Sequence, residues 1–546
     1  MRCLLWRVSP VYYSPCPMKS PLPVPDSTPH VPEEMHTGGI GGHPKGLSNL
    51  FFAELWERFS YYGMRALLML FMIAPMAAGG LGFDQQQASS VYGNYVMASY
   101  MLCILGGFIA DNFIGARRAV LIGGFVITAG HYTLVLDSLT AFYVGLILIA
   151  VGTGLLKPSI STLVGGLYAR GDARRDAGFS LFYMGINIGA FAAPLVTGYL
   201  AQGTGYLAQD TGYLAQDTPS LVTALHIEGF SKILLGWGFD PTHSWHWGFG
   251  AAGVGMTLGM WVYVRRLNWV RHVGDAPEAH HKRPWERLAL VALGTIALLY
   301  LMMQSDEYVW LAYTIYSLPI IVVLYFGLFR KDDDSKRIAA IGVFFIAAVL
   351  FWAVFEQAGT TLTLFADELT RTEILGQPFP SSWFQSVNAL FVIALAPIFA
   401  WLWVALGTRQ PSVALKFVFG LIFLGLSFAL MVPAAQGIVA GKVSPWWLIG
   451  VYFLQTLGEM CLSPVGLSTM SKLAPARLTG LVLGVWFLAT ALGNKLSGTL
   501  SASFSAKDPA ALASFFSNQA IVVGIVAVVL LALVPWVRHL MGKEHH

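Results

Sequence analysis

Fourteen apolar segments of about twenty residues each follow one another along this chain, centred near residues 65, 100, 128, 152, 186, 257, 294, 320, 350, 393, 422, 458, 489 and 528. A helix rises about 1.5 Å per residue, so segments of this length cross a hydrocarbon layer about 30 Å thick. Lipid offers no partner to a peptide N–H or C=O, so each crossing must satisfy its own backbone as a helix. The chain is therefore expected to be an all-α polytopic membrane protein. Charged residues make up only 11% of it and hydrophobic ones 56%, against about 25% charged in ordinary soluble domains.

Loop chemistry predicts the orientation. Arg117 and Arg118, Arg170, Arg174 and Arg175, Arg265, Arg266 and Arg271, Arg330, Lys331, Lys336 and Arg337, Arg409 and Lys416, Lys472 and Arg477, and Arg538 fall in alternate connections. Cation-rich loops stay on the cytoplasmic side, so both termini are expected there, in a multi-pass plasma (inner) membrane protein. The net charge of +4 is spread among these loops and gives no nucleic-acid signal. Cys3, Cys16, Cys103 and Cys461 show neither a disulfide framework nor metal-ligand spacing. No nucleophile and base pair or phosphate loop points to an enzyme, and no cofactor is implied. His131, alone in a span, reads as a hydrogen-bonded packing residue.

The first segment contradicts its own apolar setting. Glu54, Glu57, Arg58, Tyr61, Tyr62 and Arg65 lie within it, and Glu54, Glu57, Tyr61 and Arg65 follow spacings that place them on one stripe of a helix. A charge at mid-bilayer costs about 2.5 to 3.5 kcal/mol on insertion scales, so such residues persist around a wet cavity or with partners. Something polar is expected to pass. The apolar spans also carry Lys157, Glu356 and Glu459.

Three further segments stand apart. Residues 1–45 are rich in proline and read as a disordered arm, with translation from Met35 an equal expectation. The tandem units Gly198–Thr204, Gly205–Thr211 and Gly212–Thr218 hold a glycine each and too few apolar positions for a coiled coil, so an elongated non-cytoplasmic loop without a transport role is expected. Two spans between about 284 and 330, joined at Asp306 and Glu307, carry no lone interior charge and read as peripheral to the pathway. The expected layout is a six-helix bundle over 46–268, a basic linker with two extra helices over 269–336, and a second six-helix bundle over 337–541.

The run from Gly106 to Arg118 resembles the loop between the second and third helices of the major facilitator superfamily. Glu54 to Gly63 resembles the ExxERFxYYG signature of the proton-dependent oligopeptide transporter family, in its bacterial type with two extra helices. Phe182 to Gly189 is similar to that family's fifth-helix signature. Gly154 to Pro158, Phe355 to Gln357 and Gly458 to Pro464 follow in family order, and the likeness spans roughly 46–540. Asn112 departs from the pattern, standing where relatives often carry a basic residue.

The resemblance implies a major facilitator fold that rocks about a central site, importing di- and tripeptides with protons, one chain sufficing in the bilayer. Arg65 and Lys157 would hold the peptide carboxylate; Asn187, Asn388 and Glu459 would hold its amino end; Tyr61, Tyr62 and Tyr100 would contact its backbone. From the charges alone, a cationic wall of Arg65 and Lys157 facing Glu356 and Glu459 suits a zwitterion, with Tyr62, Tyr100, Trp352 and Trp486 lining side-chain pockets. Packing alone could explain Tyr100 and Trp352. Glu54, Glu57, Arg58, Lys157 and Glu356 are the expected proton-coupling groups, with Arg65–Glu356 and Lys157–Glu459 as alternating bridges. The alternatives are a nitrate or other small-anion carrier and a peptide sensor without flux.

Overall fold

A computed structural model describes residues 37–169, 172, 174–202, 236, 244–276, 284–330, 332–374, 377–474 and 479–542. Fourteen long helices run through them: α1 (Lys45–Ile73), α2 (Gln85–Ile109), α3 (Ala116–Leu134), α4 (Leu139–Gly166), α5 (Arg175–Gln202), α6 (Trp245–Arg265), α7 (Trp285–Gln304), α8 (Val309–Leu324), α9 (Asp333–Phe355), α10 (Gln385–Leu406), α11 (Val413–Gly437), α12 (Trp446–Leu473), α13 (Thr479–Ser501) and α14 (Pro509–Met541). They match the fourteen expected spans in order. Nine helical stretches among the described residues are long and apolar enough to cross a membrane; α1 is kept from that group by its charges. The sole sheet among these residues is a two-stranded antiparallel hairpin, β1 (Glu373–Ile374) with β2 (Gln377–Pro378).

Local chemistry sets the helix starts. Asp84, Ser138, Asp332, Ser412 and Asp508 each accept a backbone N–H with their side chain at the first turn of α2, α4, α9, α11 and α14, replacing partners that a helix end lacks. Within α4, Pro158 removes one backbone donor immediately after Lys157.

Helices α1 to α6 form one bundle and α9 to α14 the other. The two meet along α2 against α13 and α5 against α10. The α7–α8 hairpin lies outside, with Leu290, Leu293, Tyr313 and Ile321 exposed, as expected for helix faces turned to lipid.

Three sequence expectations change here. Gly198–Gln202, the first five residues of the tandem repeat, are the last turn of α5 rather than loop; residues 203–218 lie outside the described residues, as does the arm to residue 36 with Met35. A Cβ on Gly198 would stand 2.1 Å from Ser382 Oγ, and the Gln202 amide donates to Ser381 Oγ at 3.0 Å while accepting from the Ser382 N–H at 3.1 Å. Part of the repeat therefore packs α5 onto the second bundle. His131 is fully buried, yet neither ring nitrogen has a hydrogen-bond partner among the described residues; the expected hydrogen bond is absent because no donor or acceptor there comes within reach of the ring. Lys416 is not a loop residue: it is buried in the first turn of α11, its ammonium 4.1 Å from the Trp403 ring centre and 3.0 Å from Gln410 Oε1.

Candidate functional site

The first-bundle charges are built as one buried group. Arg58 Nε stands 3.1 Å from Glu54 Oε1 and also donates to Glu57 Oε2; the three side chains are 3%, 3% and 1% exposed for Arg58, Glu54 and Glu57. One guanidinium thus serves two carboxylates one helical turn apart. Glu54 Oε2, Glu57 Oε1 and Arg58 Nη2 are buried with no hydrogen-bond partner among the described residues. Two acceptors are consequently left with spare capacity, one of them able to take a proton without breaking an existing bond.

Lys157 on α4 reaches the same place. Its ammonium lies 3.7 Å from the centre of the Tyr100 ring, a cation–π contact of the kind worth about 0.5 to 2 kcal/mol. With Arg58, Tyr61, Ser99, Tyr100 and Thr153 it lines one tight cleft with no room for a water molecule. Counting both carboxylates and both cations as ionised, the group sums to zero, and protonating either carboxylate leaves one positive charge.

The bundles are bridged further along α1. Arg65 Nη2 pairs with Glu356 Oε2, and Arg65 Nε donates to Tyr92 Oη at 2.5 Å. Glu356 is placed by a break in its own helix: α9 stops at Phe355, a 3-10 turn carries Glu356–Gly359, and Thr360 leaves helical geometry at φ −127°, ψ −89°. Gly359 makes that approach possible, since a Cβ there would stand 1.8 Å from Tyr92 Oη. The break is held by polar side chains: Thr361 Oγ1 lies 3.0 Å from Gln357 Oε1 and 2.9 Å from Ser501 Oγ, and Gln357 donates to Gln519.

Glu459 faces α10 from α12. Its Oε2 accepts from the Asn388 amide at 3.2 Å, and that amide also reaches Thr456 Oγ1 at 3.0 Å. It makes no ion pair with Lys157 among the described residues. Tyr183 of α5 lines a cavity of about 1150 Å³ that also meets Trp403, Lys416, Met460, Lys472 and Arg538. Apart from Tyr183 its lining comes from the second bundle, and Lys416, Lys472 and Arg538 give it a cationic rim.

The other expected contacts are placed unequally. Tyr62 packs edge-on to Tyr61 at 5.2 Å. Asn187 spends its amide on the Tyr183 carbonyl at 2.9 Å. Trp352 is buried against Phe351 and Phe355 with its indole N–H unpartnered among the described residues, and Trp486 is buried against Gly466. Asn112 bonds its own helix, donating to the Phe108 carbonyl at 2.9 Å. Sequence reasoning missed Tyr92 and Lys495. Lys495 carries the same signal as Lys157, a lone cation in an apolar span, whereas Tyr92 carries none, because a tyrosine in such a span is unremarkable until its neighbours are known.

Comparison with known proteins bears on the whole assembly. A sequence profile of the POT family matches residues 117–514. The chain is 37% identical over 534 residues to the peptide transporter YePEPT of Yersinia enterocolitica subsp. palearctica, covering 92% of this chain and 96% of that protein. It is 33% identical over 524 residues to a di-/tripeptide transporter of Lactococcus lactis subsp. cremoris, covering 92% and 97%. A crystal structure of a variant of the peptide transporter POT in complex with alafosfalin aligns with a TM-score of 0.76 at 37% identity, over 93% of this chain and 98% of that one. A POT family transporter in complex with 5-aminolevulinic acid aligns with a TM-score of 0.75 at 30% identity, over 92% and 99%.

Proposed function

This chain belongs to the POT family, and on that footing we propose that it imports di- and tripeptides together with protons by alternating access. The observation that carries this reading is the asymmetry of the two bridges. Arg65 and Glu356 are paired between the bundles, while Lys157 rests on Tyr100 and Glu459 on Asn388. A cation on one bundle and a carboxylate on the other are thus both available to the ends of a zwitterion. With positive loops inside, both termini are cytoplasmic, and the paired Arg65 and Glu356 close the opposite end, so the protein rests facing inward in the plasma membrane.

These positions support the following residue roles. Arg65 and Lys157 take the peptide carboxylate. Glu459, oriented by Asn388, takes the ammonium together with Asn187. Tyr61, Tyr62 and Tyr100 border the backbone, and Trp352 and Trp486 border side chains. Glu54, Glu57, Arg58, Lys157 and Glu356 pass the proton: protonating a carboxylate frees its cation for substrate, and substrate release returns that cation to the carboxylate. One proton crossing about 100 mV contributes about 2.3 kcal/mol and one pH unit about 1.4 kcal/mol, enough for accumulation of several hundredfold, roughly, at one proton per peptide.

Uptake into proteoliposomes tests the proposal. Labelled dialanine should accumulate under an inward proton gradient and collapse to equilibration when a protonophore is added. Saturable binding without flux would identify a sensor instead, and gradient-driven nitrate entry without dialanine entry would identify an anion carrier.

A further inference from the structure

Lys495 on α13 is 2% exposed and unused by the transport site. Its ammonium donates to Asp306 Oδ2 at 2.5 Å and to Asn94 Oδ1 at 2.7 Å. Asp306 stands in the turn between α7 and α8, and the same oxygen accepts from Ser90 Oγ at 2.5 Å while Oδ1 takes Thr499 Oγ1 at 3.4 Å. Ser90 and Asn94 belong to α2, Lys495 and Thr499 to α13. A single carboxylate, carried by neither bundle, therefore ties one bundle to the other.

The surroundings make this tie sensitive to separation. Helices α2 and α13 touch backbone to backbone, since a Cβ on Gly93 would stand 3.1 Å from the Gly498 Cα. Gln85 at the start of α2 donates to the carbonyls of Ser501 at 2.8 Å and Phe504 at 2.6 Å. The hairpin is fixed to the second bundle by Tyr316, whose hydroxyl donates to the Leu492 carbonyl at 3.1 Å. If α2 and α13 part, Lys495 must release Asn94 and Asp306 must release either Ser90 or Lys495, and a buried ammonium stripped of its partners is costly.

We propose that the α7–α8 hairpin is a latch on the end opposite the cation-rich loops: Asp306 holds α2 against α13 and biases the resting protein toward closure there, with Lys495 as a positioning residue. The hairpin then contributes to the cycle without touching the transported molecule. Its effect is a population shift between two conformations, and the latch must loosen each time that end opens.

Distance measurement on the full chain in lipid nanodiscs tests this without substrate, so its outcome is independent of what is carried. Spin labels are placed at Gln86→Cys and Ser503→Cys, both exposed at the ends of α2 and α13, with the natural cysteines replaced by serine. Asp306→Asn should raise the population of the longer distance by about tenfold. The pair Ser90→Ala and Asn94→Ala, which leaves the Lys495–Asp306 contact in place, should raise it in the same direction. In uptake assays both variants should change KM for dialanine more than the maximal rate. An unchanged distance distribution in Asp306→Asn overturns the latch. So does a shift in Asp306→Asn that the Ser90 and Asn94 variant fails to reproduce, because the carboxylate would then only anchor the hairpin to α13.

Discussion

The ammonium of Lys157 stands 3.7 Å from the centre of the Tyr100 ring, on the first-bundle side and unpaired with Glu459. A cation held by a ring face keeps its charge while leaving its N–H donors free to take a carboxylate. Lys157→Gln retains a polar side chain of similar reach but no charge. Gradient-driven dialanine accumulation should fall by about a hundredfold, the upper range for coupling between two sites; Lys157→Arg should recover part of it. Accumulation at the parental level in Lys157→Gln would remove this residue from the coupling scheme.

Glu57 shares Arg58 with Glu54, and one oxygen of each carboxylate is unpartnered. Glu57→Gln fixes the site in a state resembling the protonated one. Exchange of labelled for unlabelled dialanine should persist, while acidifying the outside should no longer drive net uptake. Counterflow and gradient-driven uptake in the same vesicles distinguish the two.

Breaking the Arg65–Glu356 bridge should open the end it closes. Losing one partner of a buried pair costs about 3 to 5 kcal/mol, but water reaching the freed charge in the opened state returns much of this. A residue of about 1.4 kcal/mol is a tenfold change in population. Ser89 is fully buried in the α2–α13 seam, so Ser89→Cys reports on opening. Glu356→Gln should raise its labelling by a membrane-impermeant maleimide about tenfold. An unchanged rate would show that the bridge does not control that end.

Gly359 lies where a methyl group would meet Tyr92 Oη at 1.8 Å and Arg65 Nη2 at 3.1 Å. Gly359→Ala should therefore prevent full closure around Arg65 and Glu356, with the 1 to 3 kcal/mol, roughly, of an overpacked contact. Uptake should drop about tenfold on that scale. Adding Tyr92→Phe should restore part of the loss by removing the clashing oxygen; no recovery would place the effect elsewhere in the turn.

His131 is buried without a hydrogen bond among the described residues. An apolar residue of similar volume removes an unmet polar group at little cost in packing, so His131→Leu should leave uptake within about twofold and leave Tm equal or higher. A severe loss of uptake in a well-folded His131→Leu protein would assign the ring a role in transport.

Much of the candidate site was legible before the fold was known, for one physical reason: a charge in an apolar span is expensive and stands out. Glu54, Glu57, Arg58, Arg65, Lys157, Glu356 and Glu459 all carry that mark. Tyr92 and Gln202 do not, since polar uncharged residues in spans are common and their partners, Arg65 and Ser381, are distant in sequence. The tandem repeat misleads for a related reason. Its period says nothing about where α5 ends, and Gly198–Gln202 continue that helix because Gly198 packs against Ser382 and Gln202 bonds Ser381 and the Ser382 N–H.

The amino-acid order by itself determined that this chain crosses a membrane fourteen times as helices and which ionisable groups it must shelter, because hydropathy and backbone satisfaction are local sums over about twenty residues. Only the tertiary arrangement decided which of those groups are joined. Arg65 meets Glu356 across 291 positions, Lys157 turns to Tyr100, and Asp306 of the outer hairpin reaches Lys495. Each choice depends on how helices made independently are set against one another, and charges buried between them couple strongly only where that setting brings them within a few ångströms.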